Sequence, residues 1–230
     1  MLSLSKPVPA SGSLRVLSAL LGYPSAQMRG YLFEMSGILR EEKALSDTRR
    51  AEVEALIEWL ASADALDAEA NYVELFDRGR ATSLHLFEHV HGDARERGPA
   101  MVDLAQTYEK AGLYLAPDEL PDYLPAVLEF VSTQPPREAR AFLGEMAHIF
   151  NALFSALQQR ESPYASVLGA LLELAGESAK AVKLCDEQPL DVSWVEPPVF
   201  DGCSSKGQGK PGQPQPIHIV RKQPKTGAVA

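Results

Sequence analysis

From Ser13 to Ala175 the apolar residues return every three or four positions, and nowhere do they alternate with period two for long enough to build a strand. That spacing gathers them on one side of a 3.6-residue helix. Leu14, Leu17, Leu20 and Leu21 form the first stripe, which Gly22-Tyr23-Pro24 stops. Leu32, Met35 and Leu39 form a second within 25–42. Val53, Leu56, Ile57 and Leu60 form a third behind a Ser46 or Asp47 cap, with Trp59 at its edge. Asp67 is the expected cap of the helix that carries Tyr72, Leu75 and Phe76. Pro99 is placed to open a helix whose face is Met101, Leu104, Ala105 and Tyr108, with Gly112 as its C-terminal cap. Pro125 fits only near the start of the short helix through Val127, Leu128 and Val131. The strongest pattern spans 138–160, and Ser162-Pro163 opens a last one through Tyr164, Val167, Leu168, Leu171, Leu172 and Ala175. The expectation is an all-α, single-domain helical bundle over 13–185, with residues 1–12 as a frayed leader.

The pattern stops near residue 186. Prolines and glycines accumulate from there to the end. Such a segment buries too little apolar area to offset its ordering entropy, so 186–230 is expected to be a mostly disordered tail. One island, Trp194 to Phe200, has the apolar side chains to dock on the body or on a partner. Charge divides at the same place. The chain carries −9 overall, but residues 201–230 hold five Lys/Arg against one acid, which leaves −13 on the first 200 residues. A body of that sign argues against a general nucleic-acid binder and favours a basic partner segment. The N-terminus lacks the apolar core of a signal peptide, and no window approaches the roughly 18 apolar residues of a membrane span. A cytoplasmic protein without direct membrane insertion is expected. Cys185 and Cys203 lie in no Cys-x-x-Cys pair.

Residues 71–92 hold the densest unusual chemistry: Asn-Tyr-Val-Glu-Leu-Phe-Asp-Arg-Gly-Arg-Ala-Thr-Ser-Leu-His-Leu-Phe-Glu-His-Val-His-Gly. Tyr72, Leu75 and Phe76 share a helix face, and Asp77-Arg78-Gly79-Arg80 interrupts it. Gly79 is read as a turn or helix end, since glycine reaches backbone angles closed to other residues. Three of the five histidines, His85, His89 and His91, fall in seven residues. His85-Leu86-Phe87-Glu88-His89 formally fits the H-x-x-E-H zinc hydrolase pattern. No distal third ligand presents itself, so hydrogen-bonded histidines shaping a turn are the preferred reading. The chain has no P-loop lysine motif, no Gly-x-Ser-x-Gly elbow and no nucleophile–base pair, so no catalytic residue, metal or cofactor is assigned.

The run Tyr72 to Ser83, with Phe87-Glu88-His89-Val90-His91-Gly92, resembles the NarJ-type chaperones. These belong to the wider TorD/DmsD group of redox-enzyme maturation chaperones, whose aromatic-x-x-Leu-Phe motif is matched by Tyr72 to Phe76. The similarity continues through Arg97 to Leu104 and through Glu119-Leu120-Pro121-Asp122-Tyr123-Leu124-Pro125, and runs from about 14 to 203. Tyr123 stands where the wider group often has a histidine. The position of His85 is usually apolar in the NarJ-type pattern, which speaks against a zinc site.

The resemblance implies an all-α bundle that is not an enzyme. Its client would be the catalytic α subunit of respiratory nitrate reductase, bound in the apo form and through its N-terminal segment. The chaperone would support molybdenum cofactor insertion before membrane attachment and then leave. The expected client-binding residues are Tyr72, Leu75, Phe76, Asp77, Arg78, Arg80, Phe87, Glu88, His89, His91, Met101, Tyr108, Asp122 and Tyr123. Asp77, Arg78 and Arg80 fit either a structural charge cluster or a client contact, with Arg80 preferred for a structural pair. A zinc hydrolase through His85, Glu88 and His89 and a helix-binding adaptor for another client are the alternatives. Helix exchange between protomers is compatible with such a bundle, and the sequence does not set the oligomeric state.

Overall fold

A computed structural model of the chain describes residues 8–90, 97–117 and 119–179. The elements are α1 (Ser11–Leu21), α2 (Ala26–Arg29), α3 (Leu32–Glu42), α4 (Asp47–Ser62), α5 (Ala65–Tyr72), α6 (Leu86–Val90) and α7 (Arg97–Lys110). They continue with α8 (Leu124–Ser132), α9 (Pro136–Glu145), α10 (Ala147–Gln159) and α11 (Ala165–Ala175). A π-helical turn, Val73–Asp77, extends α5, and a 3₁₀ turn, Arg80–Thr82, follows it. The described residues form no strand, so this part of the chain is all-α, as its periodicity requires. They all belong to one compact unit within residues 1–186. Trp194 to Phe200, both cysteines, His91 and the rest of 186–230 lie outside the described residues.

The apolar stripes become the core. Leu17, Leu20, Leu21, Val53, Leu56, Leu60, Phe150, Leu153, Leu168 and Leu171 have essentially no exposed surface. Each such side chain stabilises the fold by about 1.5–3 kcal/mol through its removal from water. α1 is the central rod, packed on α8 and α3, while α11 joins α10, α9 and α4. Local chemistry sets the ends. Ser46 caps α4, its hydroxyl accepting from the Arg49 amide at 3.3 Å. The Ser46 amide and hydroxyl in turn donate to the Glu173 carboxylate at 2.6 and 2.8 Å, fastening α4 to α11. Tyr123 is the N-cap position of α8, and Pro125 occupies its first turn. Gly112 takes a φ of 78° just past α7, the left-handed angle expected of that cap.

Five boundaries differ from the sequence reading. α7 begins at Arg97, two residues before Pro99, and α11 begins at Ala165 with Tyr164 at its N-cap position, so Ser162-Pro163 precede the helix. The expected helix over 25–42 is two, with α2 ending at Gly30. α5 is capped by Asp64, whose carboxylate accepts from the Leu66 amide at 2.9 Å, while Asp67 sits inside the first turn. Its negative charge suits the helix N-terminus without capping it. The pattern over 138–160 breaks at Met146 (φ −90°, ψ −2°). Ala139 and Leu143 of α9 meet α8 and α11, whereas α10 meets α11 and the 3₁₀ turn, so one straight helix could not bury both stripes.

Candidate functional site

The two sequence motifs meet in space. The first is α5 with its π-helical turn. A turn of that kind holds one extra residue per coil and recurs at functional sites. The Arg78 amide closes it on the Val73 carbonyl at 3.2 Å. The fully buried Thr82 hydroxyl donates to the Leu75 carbonyl, with the Gly79 carbonyl 3.2 Å away. Gly79 is buried here, but its backbone (φ −100°, ψ 108°) is open to any residue. The glycine is required for space instead. A Cβ would stand 2.9 Å from the Leu75 carbonyl oxygen, 2.8 Å from an Arg160 guanidinium nitrogen, and closer still to the Thr82 hydroxyl.

The second motif, 119–125, closes against residues 83–88. His85 and Tyr123 pair as an antiparallel bridge, with the Leu86 amide on the Asp122 carbonyl (3.0 Å) and the Leu124 amide on the Leu84 carbonyl (2.8 Å). The Asp122 side chain has no exposed surface. A buried carboxylate is costly unless donors surround it. Here the Phe87 amide donates to it at 3.2 Å, the His85 Nδ1 lies 3.4 Å away, and the Arg97 guanidinium lies 3.8 Å away. Arg97 also stands 3.7 Å from Glu88. The hydrogen bond to Asp122 raises the pKa of His85, against the lowering effect of its partial burial. His89 turns its Nε2 to the Ser83 carbonyl at 2.8 Å. An N–H spent on a carbonyl is not a metal ligand. Among the described residues no group of three His, Cys, Asp or Glu side chains is placed to hold a metal ion.

Tyrosines join the motifs. The Tyr72 hydroxyl donates to the Leu21 carbonyl at 2.8 Å and lies 3.1 Å from the Tyr123 hydroxyl, which is therefore the donor between the two phenols. The tyrosine at the position where the wider group often carries histidine thus reaches the aromatic of the first motif. Around Tyr72 stand Tyr23 (ring centroids 5.6 Å apart), Phe76 (4.8 Å) and Tyr164 (6.2 Å). Burial pushes the phenols of Tyr72, Tyr108, Tyr123 and Tyr164 upward, so all four act only as neutral hydroxyls near neutral pH.

The expected client-binding residues divide by burial. Tyr72, Leu75, Phe76, Tyr108 and Asp122 are core, and contribute by holding the motifs together. Tyr108 donates to the Pro121 carbonyl at 2.8 Å. Phe87, Glu88, His89, Met101 and Tyr123 are half-buried, and Asp77, Arg78 and Arg80 are exposed. Arg78 pairs with Glu74 one turn back at 3.2 Å. Arg80 is not the structural cation: no carboxylate of a described residue lies in ion-pair range of it. Arg97, at the start of α7, instead reaches the buried Asp122, beside His85. The sequence places Tyr164 in an apolar stripe and Arg97 in a resembling stretch, but local spacing gives the partners of neither, since both act on residues remote in sequence. Thr82 lies in the resembling run, but its bond to Leu75 exists only because of the π-helical turn.

Comparison with known proteins decides the lineage. The family model described as nitrate reductase delta subunit matches residues 42–169, more than half of the chain. The chain belongs to the nitrate reductase delta subunit family. Within this delta subunit family, it is 45% identical over 193 residues to the nitrate reductase molybdenum cofactor assembly chaperone NarJ of Escherichia coli (strain K12), covering 80% of this chain and 82% of that protein. It is 41% identical over 196 residues to NarW of the same strain, with 80% of each chain covered. It is also 32% identical over 159 residues to a probable nitrate reductase molybdenum cofactor assembly chaperone NarJ of Bacillus subtilis (strain 168), covering 68% of this chain and 84% of that one. Among solved structures, a candidate redox enzyme maturation protein from Archaeoglobus fulgidus superposes with a TM-score of 0.55 at 18% identity, over 77% of this chain and all of that one. That likeness shows a shared fold.

Proposed function

We propose that this chain is a dedicated maturation chaperone of respiratory nitrate reductase. It binds the catalytic α subunit in the apo form, including its N-terminal segment, and keeps it competent for molybdenum cofactor insertion before membrane attachment. The observation that carries this reading is the 45% identity, over four-fifths of the chain, to a molybdenum cofactor assembly chaperone. The chemistry agrees: the protein acts by binding and not by catalysis. The histidines of the zinc-like pattern serve the Asp122 clamp and the Ser83 carbonyl. No helix of the described residues is long and apolar enough to cross a membrane, which suits a chaperone that works in the cytoplasm on a client not yet attached. The acidic body suits a basic client segment, which electrostatics would steer and salt would screen.

The test is to produce the catalytic subunit with and without this chain. The subunit made alone is expected to lack molybdenum and to be captured by immobilised chaperone, whereas the cofactor-loaded subunit is not. A catalytic subunit that gains its full molybdenum content without the chain, or that is held equally before and after loading, would refute the proposal.

A further inference from the structure

α5 and its π-helical turn carry two apolar faces. Ala68, Tyr72, Leu75 and Phe76 are buried in the bundle. On the opposite side Leu66, Ala70 and Val73 follow at helical spacing, and with Tyr23 they line an open groove of about 430 Å³. Leu66 leaves 75% of its surface to solvent and Tyr23 leaves 46%. Glu69, Glu74 and Arg78 complete the lining, and the exposed Asp77 lies close enough to Tyr23 to raise its phenol, after the larger effects of the hydrogen bond to Glu69 and of desolvation. Two carboxylates of the lining thus stand against one guanidinium. Among the described residues that guanidinium pairs with Glu74, the two side chains being 73% and 66% exposed. An exposed pair of this kind contributes little and exchanges partners readily.

We infer that this outer groove of α5, and not the buried face of the same motif, receives the client's N-terminal segment as a short amphipathic helix. Its aliphatic side chains lie on Leu66, Ala70 and Val73, and a Lys or Arg reaches Glu69 or Glu74. The inference rests on the chaperone reading above and specifies where that reading places its contact. The occupant follows from charge and shape. An apolar strip one helix wide selects a helix by its i, i+4 and i+7 residues. The excess of carboxylate selects against an acidic partner and for a basic one. The strip also explains the division of labour within one motif: its inner face builds the core, and the π-helical turn sets the register at which Val73 and Glu74 are presented outward.

The experiment is a calorimetric titration of the full chain with a synthetic N-terminal peptide of the catalytic subunit, with a scrambled peptide as control. Leu66→Glu and Val73→Glu are expected to weaken binding at least tenfold, and Glu69→Gln with Glu74→Gln to weaken it severalfold at low salt and flatten its salt dependence. Val102→Glu, on the exposed side of α7, should bind as wild type. Thermal melts establish that each variant folds, and the four positions are exposed or half-buried on one surface. If wild-type protein binds the peptide and both Leu66→Glu and Val73→Glu bind it equally well, the groove is refuted and the chaperone reading stands. If only Val102→Glu weakens binding, the contact lies on α7 and the groove is likewise refuted. If wild type does not bind, or binds the scrambled peptide equally, the groove and the N-terminal part of the chaperone reading fall together.

Discussion

Replacing Gly79 by alanine separates two roles a glycine can have. At φ −100° and ψ 108° the backbone is unstrained for alanine. Conformational entropy alone would then make the variant more stable by about 0.4–1 kcal/mol. The surroundings oppose this. The new Cβ would stand 2.9 Å from the Leu75 carbonyl oxygen and 2.8 Å from Arg160, and would press on the Thr82 hydroxyl. Arg160 is exposed and long enough to swing aside, but the carbonyl belongs to the π-helical turn and the hydroxyl is fully buried. Forcing a methyl group into such a place costs about 1–3 kcal/mol, and displacing the Thr82 hydrogen bond about 1 kcal/mol more. Gly79→Ala is therefore expected to lose about 1–3 kcal/mol net, with Tm falling roughly 2–4 °C for each kcal/mol in a domain of this size. Urea unfolding followed by circular dichroism gives the number. Gly112→Ala is the comparison: nothing lies within 4 Å of its Cβ, and its φ is 78°, so its loss of about 1–2 kcal/mol is backbone strain alone. If crowding is the cause, Gly79→Ala costs less in a Thr82→Ala background. A Gly79→Ala protein as stable as wild type, or a cost unchanged by Thr82→Ala, would refute the close-approach explanation.

The buried tyrosines should split by their partners. The Tyr164 hydroxyl has no hydrogen-bond partner among the described residues, so Tyr164→Phe is expected to leave stability unchanged or raise it, whereas Tyr72→Phe strands the Leu21 carbonyl and should lose about 1–3 kcal/mol in the same melts. His85 provides a pH signature. Its folded pKa lies above the ordinary value near 6.5, so the stability contributed by its protonated contact with Asp122 is whole below that value. It is lost as pH rises through the raised folded value. Urea midpoints of wild type should fall across that window and those of His85→Gln should not, with Glu88 and Arg97 as the other charges facing the imidazole; parallel curves would remove His85 as the titrating group. Asp122→Ala, which leaves the Phe87 amide and Arg97 facing a void, should cost more than Asp122→Asn, and an equal loss would show that the carboxylate's charge and not its acceptor geometry is what the clamp needs.

Helical periodicity was enough to read the bundle, because a face of Leu at every third or fourth position has one way to be buried. Leu14 to Leu21, Val53 to Leu60 and Val167 to Ala175 lie in the core as that spacing requires. The boundaries at Met146 and Asp64 were not legible, since they depend on which neighbour each stripe meets and on the backbone angle of the capping residue. The motif over 71–83 stood out by composition, but its division into an inward and an outward face did not. Tyr72, Leu75 and Phe76 have the residue types of a binding surface and of a core alike, and only packing against Tyr164 and Tyr23 decides between them. Arg97 shows the same limit for charge. The sequence marked it as the start of a resembling stretch but gave it no partner, and the fold brings it to Asp122.

The pairing of His85 with Tyr123 has a consequence for how this chain tolerates change. The described chain between the two residues starts and ends at this one pairing, and on the way Leu86 of α6 and Tyr108 of α7 anchor it in the core. Between those anchors, the turn after α7 is exposed and is closed at both ends by fixed contacts, so its length need not be transmitted to the helices it joins. Doubling such an excursion raises its closure entropy by only about 0.6 kcal/mol, far less than the cost of shifting a stripe in α4 or α10 by one residue. Residues inserted at the exposed Gly112 should leave the rest of the molecule folded. That turn is thus a place where the chain can lengthen while the helices on either side keep their register.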